Sequence, residues 1–188
     1  MRATALFAAA LAVTLTLVGQ SPAVADEGTP IFAENVIRTA DVAVPNYPLH
    51  FPDGSTGTLK DYAGEVLVVT LWQENCPWCI KEMPGLDRLS AAMKGEGIRV
   101  MALGLDQNMA QITGFLDRYE LANIDPVMDY EKVNGTLFSL ELFGRPSIAT
   151  PTSFIIDKQG KVVARIWGLV DWDGDAARGF LRSLVLQG

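Results

Sequence analysis

The hydrophobic positions of the chain alternate between short β-branched runs and longer stretches with helical spacing. Residues 66–72 are a run of apolar and β-branched side chains, which is typical of a strand buried on both faces of a sheet. After it, apolar side chains recur at helical spacing until a Gly-Glu-Gly segment at residues 95–97 interrupts the pattern. The pattern predicts a central strand and then a helix, whose apolar positions include Met83, Leu86, Leu89 and Met93.

The remainder of the chain repeats this alternation of strand-like and helix-like segments. Strands that alternate with helices and end in a hairpin and a helix predict an α/β fold, with helices on both faces of the sheet. The predicted elements are a strand at 98–105, a helix at 109–121, a short strand at 126–128, a helix at 131–143, strands at 152–156 and 161–167 joined by a turn, and a helix at 175–186.

The segment before the central strand has the punctuation of a hairpin. The Pro-Asp-Gly-Ser sequence at residues 52–55 separates two short strand candidates at 49–51 and 58–62. Residues 26–46 mix glycine, proline and acidic residues, which predicts a leader segment lying on or off the domain. The domain itself is placed at residues 47–188.

The first 25 residues have the composition of a secretory signal. A short positive start precedes residues 3–18, which carry no charge, and the Ala-Val-Ala sequence at residues 23–25 is a small-x-small cleavage site. The uncharged run is shorter than the roughly 20 residues that span a bilayer, so cleavage is favoured over a retained anchor. We expect export to an oxidising compartment such as the periplasm, without stable membrane insertion after cleavage.

Composition and charge narrow the class of protein. The 188 residues are 49% hydrophobic and 20% charged, with two cysteines, which excludes a disordered chain and a disulfide-rich scaffold. The 15 basic and 22 acidic residues give a net charge of −7. Because this balance lacks the basic surface that holds a phosphate backbone, we expect no nucleic-acid partner.

The two cysteines, Cys76 and Cys79, follow the predicted central strand and begin the predicted helix. A disulfide across so short a loop stabilises the fold by only about 2 kcal/mol, through the entropy that the unfolded chain loses. A purely structural role therefore explains the spacing of the two cysteines poorly. A zinc site needs about four ligands, and the chain has one histidine and no further cysteine. Thiol–disulfide chemistry needs only this pair, and we predict a redox site with no metal.

The placement of Cys76 suits a nucleophile. At the N-cap of the helix, its sulfur would face free backbone N–H groups and the positive end of the helix dipole, which favour the thiolate. Pro77 would occupy the first helical position, where no N–H is needed. Cys76 would form a mixed disulfide with a partner, and the better buried Cys79 would resolve it.

Four segments carry a recognisable pattern: VVTLWQENCPWCIKEMP at residues 68–84, TPTSFIID at 150–157, GKVVAR at 160–165 and GLVDWD at 168–173. Together they resemble the exported TlpA/ResA-type thiol-disulfide reductases of the thioredoxin superfamily. Over residues 47–186, the resemblance implies a thioredoxin fold with an N-terminal β-hairpin and a central strand–helix insertion at 126–143. It also implies reduction of exported partners in cytochrome c maturation or cytochrome oxidase assembly, with electrons from a membrane thiol–disulfide carrier.

The resemblance also implies roles for residues around the pair. Thr150–Pro151 would be a cis peptide bond packed against the disulfide, and Thr150 would offer backbone hydrogen bonds to an extended substrate. Pro84 would be the proline that kinks the helix. Similar proteins carry a glutamate at the position of Glu82, whose helical spacing from Cys79 predicts partial burial, a raised pKa and proton exchange with that thiol.

Other positions near the pair refine this picture. Thr70 stands where thioredoxin has a buried acid, which favours Glu82 as the acid of this site. Trp78, which lies between the cysteines, is predicted to form a contact surface for partners. Trp72 is predicted to lie in the core, and the charge of Glu74 is predicted to be exposed. The chain departs from the family at Asn75, where an aromatic residue is usual, and in the longer approach at residues 144–151; both lie on the expected docking surface.

Two metal interpretations are weak. His50 is the only histidine and lies upstream of the cysteines, whereas Sco-type copper proteins place theirs far downstream. A calcium loop starting at Asp171 would need Gly at its sixth position and Glu at its twelfth, where Ala176 and Arg182 stand. Acidic residues beside a helix N-terminus explain the segment better.

The sequence favours a reductase whose only redox group is its own dithiol, with no bound cofactor. A disulfide-forming oxidase or isomerase remains an alternative, because the direction of electron flow depends on the reduction potential. A Cu(I)-binding assembly factor is a second alternative, since thiolates such as Cys76 and Cys79 are soft ligands. A peroxidase is weaker, because neither cysteine lies in a Thr-x-x-Cys loop.

Overall fold

A mixed β-sheet organises the residues that the computed structural model describes, which are 36–130, 132, 136 and 149–187. Its strands are β1 Val36–Ala43, β2 Leu49–His50, β3 Thr56–Gly57, β4 Val66–Trp72, β5 Ile98–Gly104, β6 Asp125–Met128, β7 Thr152–Ile156 and β8 Lys161–Trp167; the α-helices are α1 Pro77–Met93, α2 Met109–Arg118 and α3 Asp175–Leu186. Across the sheet, neighbouring strands follow the order β1-β8-β7-β4-β5-β6-β2-β3.

Strand β4 lies in the middle of the sheet, as its composition predicts. All seven of its residues are buried, because it pairs in parallel with β5 on one side and antiparallel with β7 on the other. Leu71 pairs with Thr152, so the end of β4 meets the start of β7. This register brings the segment after β4 beside the segment before β7.

The two faces of the sheet have different covers. On one face, Val66, Val68 and Trp72 pack with apolar residues of α1, α2 and α3. On the other face, Leu67, Val69 and Leu71 pack with residues of the N-terminal part of the domain, including Leu49 and Leu59. The helices α1, α2 and α3 therefore share one face, and the helix predicted at 131–143 lies almost entirely outside the described residues.

The strand predicted at residues 58–62 is wrong. Residues Leu59–Tyr62 form a short 3-10 helix, and the second hairpin strand is the earlier β3. The Asp61 carboxylate accepts a hydrogen bond from the Thr58 backbone N–H at 2.6 Å. This local side-chain bond holds the chain in a turn and competes with strand pairing.

The leader segment predicted at residues 26–46 needs correction over residues 36–43. This stretch is strand β1, which pairs antiparallel with β8 from Val36 opposite Ile166 to Ala43 opposite Lys161. An edge strand bonds through its backbone on one side only, so its sequence need not be strongly apolar; Ile37 is 51% exposed. The sheet therefore begins before residue 47, and the predicted signal at residues 1–25 lies outside the described residues.

The predicted boundaries of the redox helix are confirmed. Helix α1 begins at Pro77, directly after Cys76, and ends at Met93. Gly95 and Gly97 follow with positive φ values of 83° and 75°, which other residues adopt poorly. Within the described ranges, no helix combines the length and hydrophobicity needed to cross a membrane.

Candidate redox site

The two cysteines form a disulfide at the N-terminus of α1. Cys76 is the N-cap, and its sulfur accepts a hydrogen bond from the Cys79 backbone N–H at 3.2 Å. Pro77 occupies the first helical position, where it sacrifices no hydrogen bond. The predicted capping geometry is confirmed.

The two sulfur-bearing residues differ sharply in exposure. Cys76 is half-buried, whereas Cys79 is only 1% exposed. The helix dipole and the capping N–H favour a thiolate at Cys76, while burial in an apolar cluster disfavours one at Cys79. The geometry therefore suits Cys76 for attack on a partner and Cys79 for the internal step that follows.

The segment before β7 lies against Cys76. The Thr150–Pro151 bond is cis, as the resemblance implies. The carbonyl oxygen of Thr150 lies 3.6 Å from Cys76 Sγ, and Pro151 is buried. Because Thr150 is part-exposed and Ala149 is exposed, the backbone at this point is accessible beside the reactive sulfur.

Glu82 lies on α1 three residues after Cys79, and it is buried more deeply than its sequence position alone predicts. It is 4% exposed, and its Oε1 accepts a hydrogen bond from Trp172 Nε1 at 2.9 Å. Its Oε2 has no hydrogen-bond partner among the described residues. Burial raises the pKa of Glu82 to about 7, and the hydrogen bond from Trp172 acts in the opposite direction.

Thr70 holds a neutral contact rather than a charge. Its hydroxyl lies 2.7 Å from the hydroxyl of Ser153 on β7, and both side chains are buried. The alternation along β4 places Thr70 on the sheet face that α1 covers. The buried acid of this face near the disulfide is therefore Glu82, contributed by the helix instead of the central strand.

The loop before Cys76 is fixed by side chains that follow β5 and belong to α2. The backbone N–H of Glu74 donates to both Asp106 carboxylate oxygens at 3.3 Å, and Gln111 Nε2 donates to Glu74 Oε1 at 2.9 Å. Burial raises the pKa of Asp106, and the charge of Glu74 adds to the effect. Glu74 is thus partly buried and bonded, which corrects the expectation of a freely exposed charge.

Trp78 forms the outer surface of the site. It is 55% exposed, and Lys81 Nζ lies 4.7 Å from its ring centroid, a cation–π contact that favours one ring position. Asn75 and Pro77 are also exposed. Pro84 lies inside α1, and Trp72 is buried against Phe115, as predicted for a core residue.

Sequence reasoning did not place Trp172, Asp106 or Gln111 at the site. Trp172 lies 90 residues from Glu82 in sequence, and Asp106 lies 32 residues from Glu74. No local pattern links such distant positions. For Trp172 the residue type is the one local indication, because the N–H of a buried tryptophan usually donates to a nearby acceptor.

The metal interpretations gain no support. His50 packs edge-on against Tyr130, with ring centroids 4.6 Å apart. Asp173 pairs with Arg88, and Asp175 lies in the first turn of α3. In the part of the chain that the structure describes, no three His, Cys, Asp or Glu side chains are grouped to hold a metal ion.

The fold and the cysteine pair define the class of protein. A dithiol at the start of the helix after the central strand, facing a cis-proline, is the site of a thiol–disulfide oxidoreductase of the thioredoxin type. The chain belongs to the Redoxin family, whose profile matches residues 39–177.

Comparison with characterised proteins agrees with this class. The chain is 30% identical over 154 residues to the thiol-disulfide oxidoreductase ResA of Bacillus thuringiensis (strain Al Hakam), a match that covers 82% of this chain and 83% of that protein. It is 32% identical over 154 residues, with the same coverage, to a ResA of Bacillus cereus. A crystal structure of a thioredoxin-family thiol:disulfide interchange protein from Chlorobium tepidum TLS matches with a TM-score of 0.65 at 17% identity, covering 79% of this chain and 99% of that one. The structural match shows the shared fold.

Proposed function

We propose that the protein is an exported thiol–disulfide reductase that transfers electrons from its Cys76/Cys79 dithiol to disulfides of other exported proteins. The observation that carries the proposal is the asymmetry of the pair. A half-exposed, N–H-capped Cys76 lies in front of a buried Cys79, with the buried acid Glu82 one helical turn further along α1. This arrangement supplies an attacking thiolate, a resolving thiol and a group to take the proton of that thiol.

The reaction proceeds in two exchanges. The Cys76 thiolate attacks one sulfur of the partner disulfide, which forms a Cys76–partner disulfide and releases the other partner sulfur as a thiolate. Cys79 then gives its proton to the Glu82 carboxylate and attacks Cys76 Sγ. The Cys76–Cys79 disulfide forms and the second partner thiolate leaves. The partner gains two electrons, and the proton held by Glu82 returns to solvent or to a leaving thiolate.

The backbone beside Cys76 supports binding of an extended partner segment. Thr150 presents main-chain groups next to the sulfur, where a strand-like peptide can add hydrogen bonds. Trp78, two residues after Cys76, adds an exposed aromatic surface. We assign both residues, with Pro151, to substrate binding, and Pro77 and Pro84 to the shape of α1.

The partners are inferred from the family resemblance. They are exported proteins whose cysteines must be kept reduced, such as those of cytochrome c maturation or cytochrome oxidase assembly. A membrane thiol–disulfide carrier would return the oxidised pair to the dithiol. The signal-like residues 1–25 support a periplasmic or otherwise exported location, and the dithiol itself serves as the only redox group.

The reduction potential of the Cys76–Cys79 pair tests the direction of electron flow. The pair is equilibrated with dithiothreitol or glutathione buffers, and the free thiol is measured by alkylation and mass spectrometry. We expect a reduction potential close to that of thioredoxin, which is about −270 mV. A potential close to that of DsbA, about −120 mV, would identify a disulfide-forming oxidase instead.

A second measurement addresses the metal alternative. The reduced protein is titrated with Cu(I) in competition with a chelator, using the Cys76→Ser/Cys79→Ser double variant as control. Reduction of a partner disulfide without stoichiometric Cu(I) binding supports the reductase. Tight binding of one Cu(I), lost in the double variant, together with no reductase activity would support an assembly factor.

A further inference from the structure

The loop between β8 and α3 places a tryptophan on the buried acid of the redox helix. Trp172 is 0% exposed, and its indole N–H donates to Glu82 Oε1 at 2.9 Å. The second oxygen of Glu82, Oε2, is buried without a hydrogen-bond partner in the described part of the chain. The two carboxyl oxygens are therefore in different environments.

The loop around Trp172 is held by contacts from α1 and α3. The α1 residue Gly85 lies beside Trp172, since a Cβ atom built at Gly85 would meet the Trp172 Cβ at the ordinary van der Waals distance of 3.8 Å. The next residue, Asp173, forms an ion pair with Arg88 of α1, and Arg178 donates to the Asp173 carbonyl oxygen. These contacts hold the residue that follows Trp172 against α1 and α3, and the buried indole directs its N–H at Glu82.

An indole nitrogen is a donor only. In a neutral carboxyl group the carbonyl oxygen is a better acceptor than the hydroxyl oxygen. The bond from Trp172 therefore favours Oε1 as the carbonyl oxygen of the neutral acid and Oε2 as the oxygen that carries the proton. The same bond stabilises the carboxylate over the acid, because a hydrogen bond to the charged form favours that form.

The charges around Glu82 leave this bond as the main polar contact of the carboxyl group. Lys81 on α1 lies against the exposed ring of Trp78, and Asp87 accepts hydrogen bonds from Asn123 and Ile124.

The sheet strands on this face contribute the uncharged Thr70 and Ser153. The loop contributes Asp171 and the ion-paired Asp173 on either side of Trp172, and α3 contributes Arg178; Cys79 is the thiol of α1 one turn earlier.

We propose that Trp172 is a positioning residue of the redox site, which holds Glu82 Oε1 and leaves Oε2 as the atom that takes and returns the Cys79 proton. The inference rests on the role proposed for Glu82. It adds a residue from the loop before α3 to the machinery of a site otherwise built from α1 and the cis-proline segment.

The test removes the indole N–H and follows the titration of Glu82. In the oxidised protein, where neither cysteine titrates, 13C NMR of the labelled glutamate carboxyl gives the midpoint directly. In Trp172→Phe the midpoint should rise by about one pH unit, because a hydrogen bond to the carboxylate is lost. Trp72→Phe is the matched control: Trp72 is also fully buried, but its Nε1 has no hydrogen-bond partner among the described residues, so the Glu82 midpoint should stay unchanged.

A second variant separates the hydrogen bond from the packing. Incorporation of 3-benzothienylalanine at position 172 keeps the bicyclic shape and replaces only the N–H with sulfur. This isostere should raise the Glu82 midpoint as Trp172→Phe does. The smaller phenyl ring of Trp172→Phe can destabilise the fold or admit water, whereas the isostere keeps the packing. An unchanged midpoint with this isostere overturns the proposal.

The reduced protein supplies the functional readout. In a Cys76→Ser background, the pH dependence of Cys79 alkylation should shift with Trp172→Phe and should show no further shift when Glu82→Gln is already present. Additive shifts in the double variant would contradict action through Glu82. The carboxyl titration does not require reductase activity, so failure of the proposed function and failure of this inference give different results.

Discussion

The Sγ atom of Cys76 lies 3.6 Å from the carbonyl oxygen of Thr150, 74 residues later in the chain. The contact follows from the antiparallel pairing of β4 and β7, which brings the end of one strand to the start of the other. The Thr150 carbonyl oxygen and the capped Cys76 sulfur therefore lie side by side at a part-exposed position. A partner peptide that bonds to this backbone would place its own sulfur within reach of Cys76.

The division of labour between the cysteines predicts selective trapping. In Cys79→Ser, the backbone N–H at position 79 still caps Cys76, so Cys76 should accumulate a mixed disulfide with a disulfide-containing peptide. In Cys76→Ser, the remaining thiol of Cys79 is buried and should form little or no mixed disulfide with the peptide. Non-reducing electrophoresis with mass spectrometry measures both. Preferential trapping in Cys76→Ser would reverse the assignment.

The exposed indole of Trp78 predicts a contribution to partner binding without one to the sulfur chemistry. In Trp78→Ala, the KM for a protein disulfide should rise about fivefold to tenfold. The rate with a small disulfide such as glutathione disulfide should change less than about twofold. Tyr119→Ala is the control, since Tyr119 is exposed at the far end of α2. Equal effects on both substrates would remove Trp78 from the docking surface.

The raised pKa of Glu82 predicts a pH-dependent cost to stability. The unfolded chain loses this proton near the ordinary pKa of 4.5, whereas the folded protein keeps it until about pH 7. The unfolded state therefore binds fewer protons in that window, and stability falls as the pH rises through it. Glu82→Gln removes the titration, so its stability relative to the parent should grow by roughly 3 kcal/mol between pH 4 and pH 8.

Urea unfolding of the oxidised proteins across this pH range measures the difference. The control is Glu96→Gln, because Arg182 lowers the pKa of the exposed Glu96 carboxyl. Its effect should be confined to lower pH, with no added slope between pH 5 and pH 8. A flat difference between the parent and Glu82→Gln over the whole range would show that the carboxyl titrates normally.

Close packing of β5 against α2 predicts a large effect from one methyl group. A Cβ at Gly104 would lie 2.3 Å from the Cδ1 and 2.7 Å from the Cγ1 of the buried Ile112. Gly104→Ala should therefore lower the free energy of unfolding by about 1–3 kcal/mol. Gly114→Ala, in α2 with nothing near its Cβ position, should raise it by up to about 1 kcal/mol. Thermal and urea unfolding compare the two.

Local sequence determined most elements of the described chain. The β-branched run of β4, the helical spacing of α1 and the limits of β8 and α3 were predictable, because each depends on side chains that are neighbours along the chain. The redox site was predictable for the same reason: Cys76, Pro77 and Cys79 lie within one helical turn, and the capping geometry follows from that turn alone. Glu82 shares their helix, so its face could be placed as well.

Only the tertiary structure decided what surrounds these residues. The short 3-10 helix depends on a side-chain bond at Asp61 that no apolar pattern signals, and β1 exists as a strand because β8 offers it an open edge. The depth of burial of Glu82 and its bond to Trp172 join segments 90 residues apart. Periodicity shows which face of an element is apolar but not which distant side chain will meet it, because that depends on sheet register and on how the helices pack.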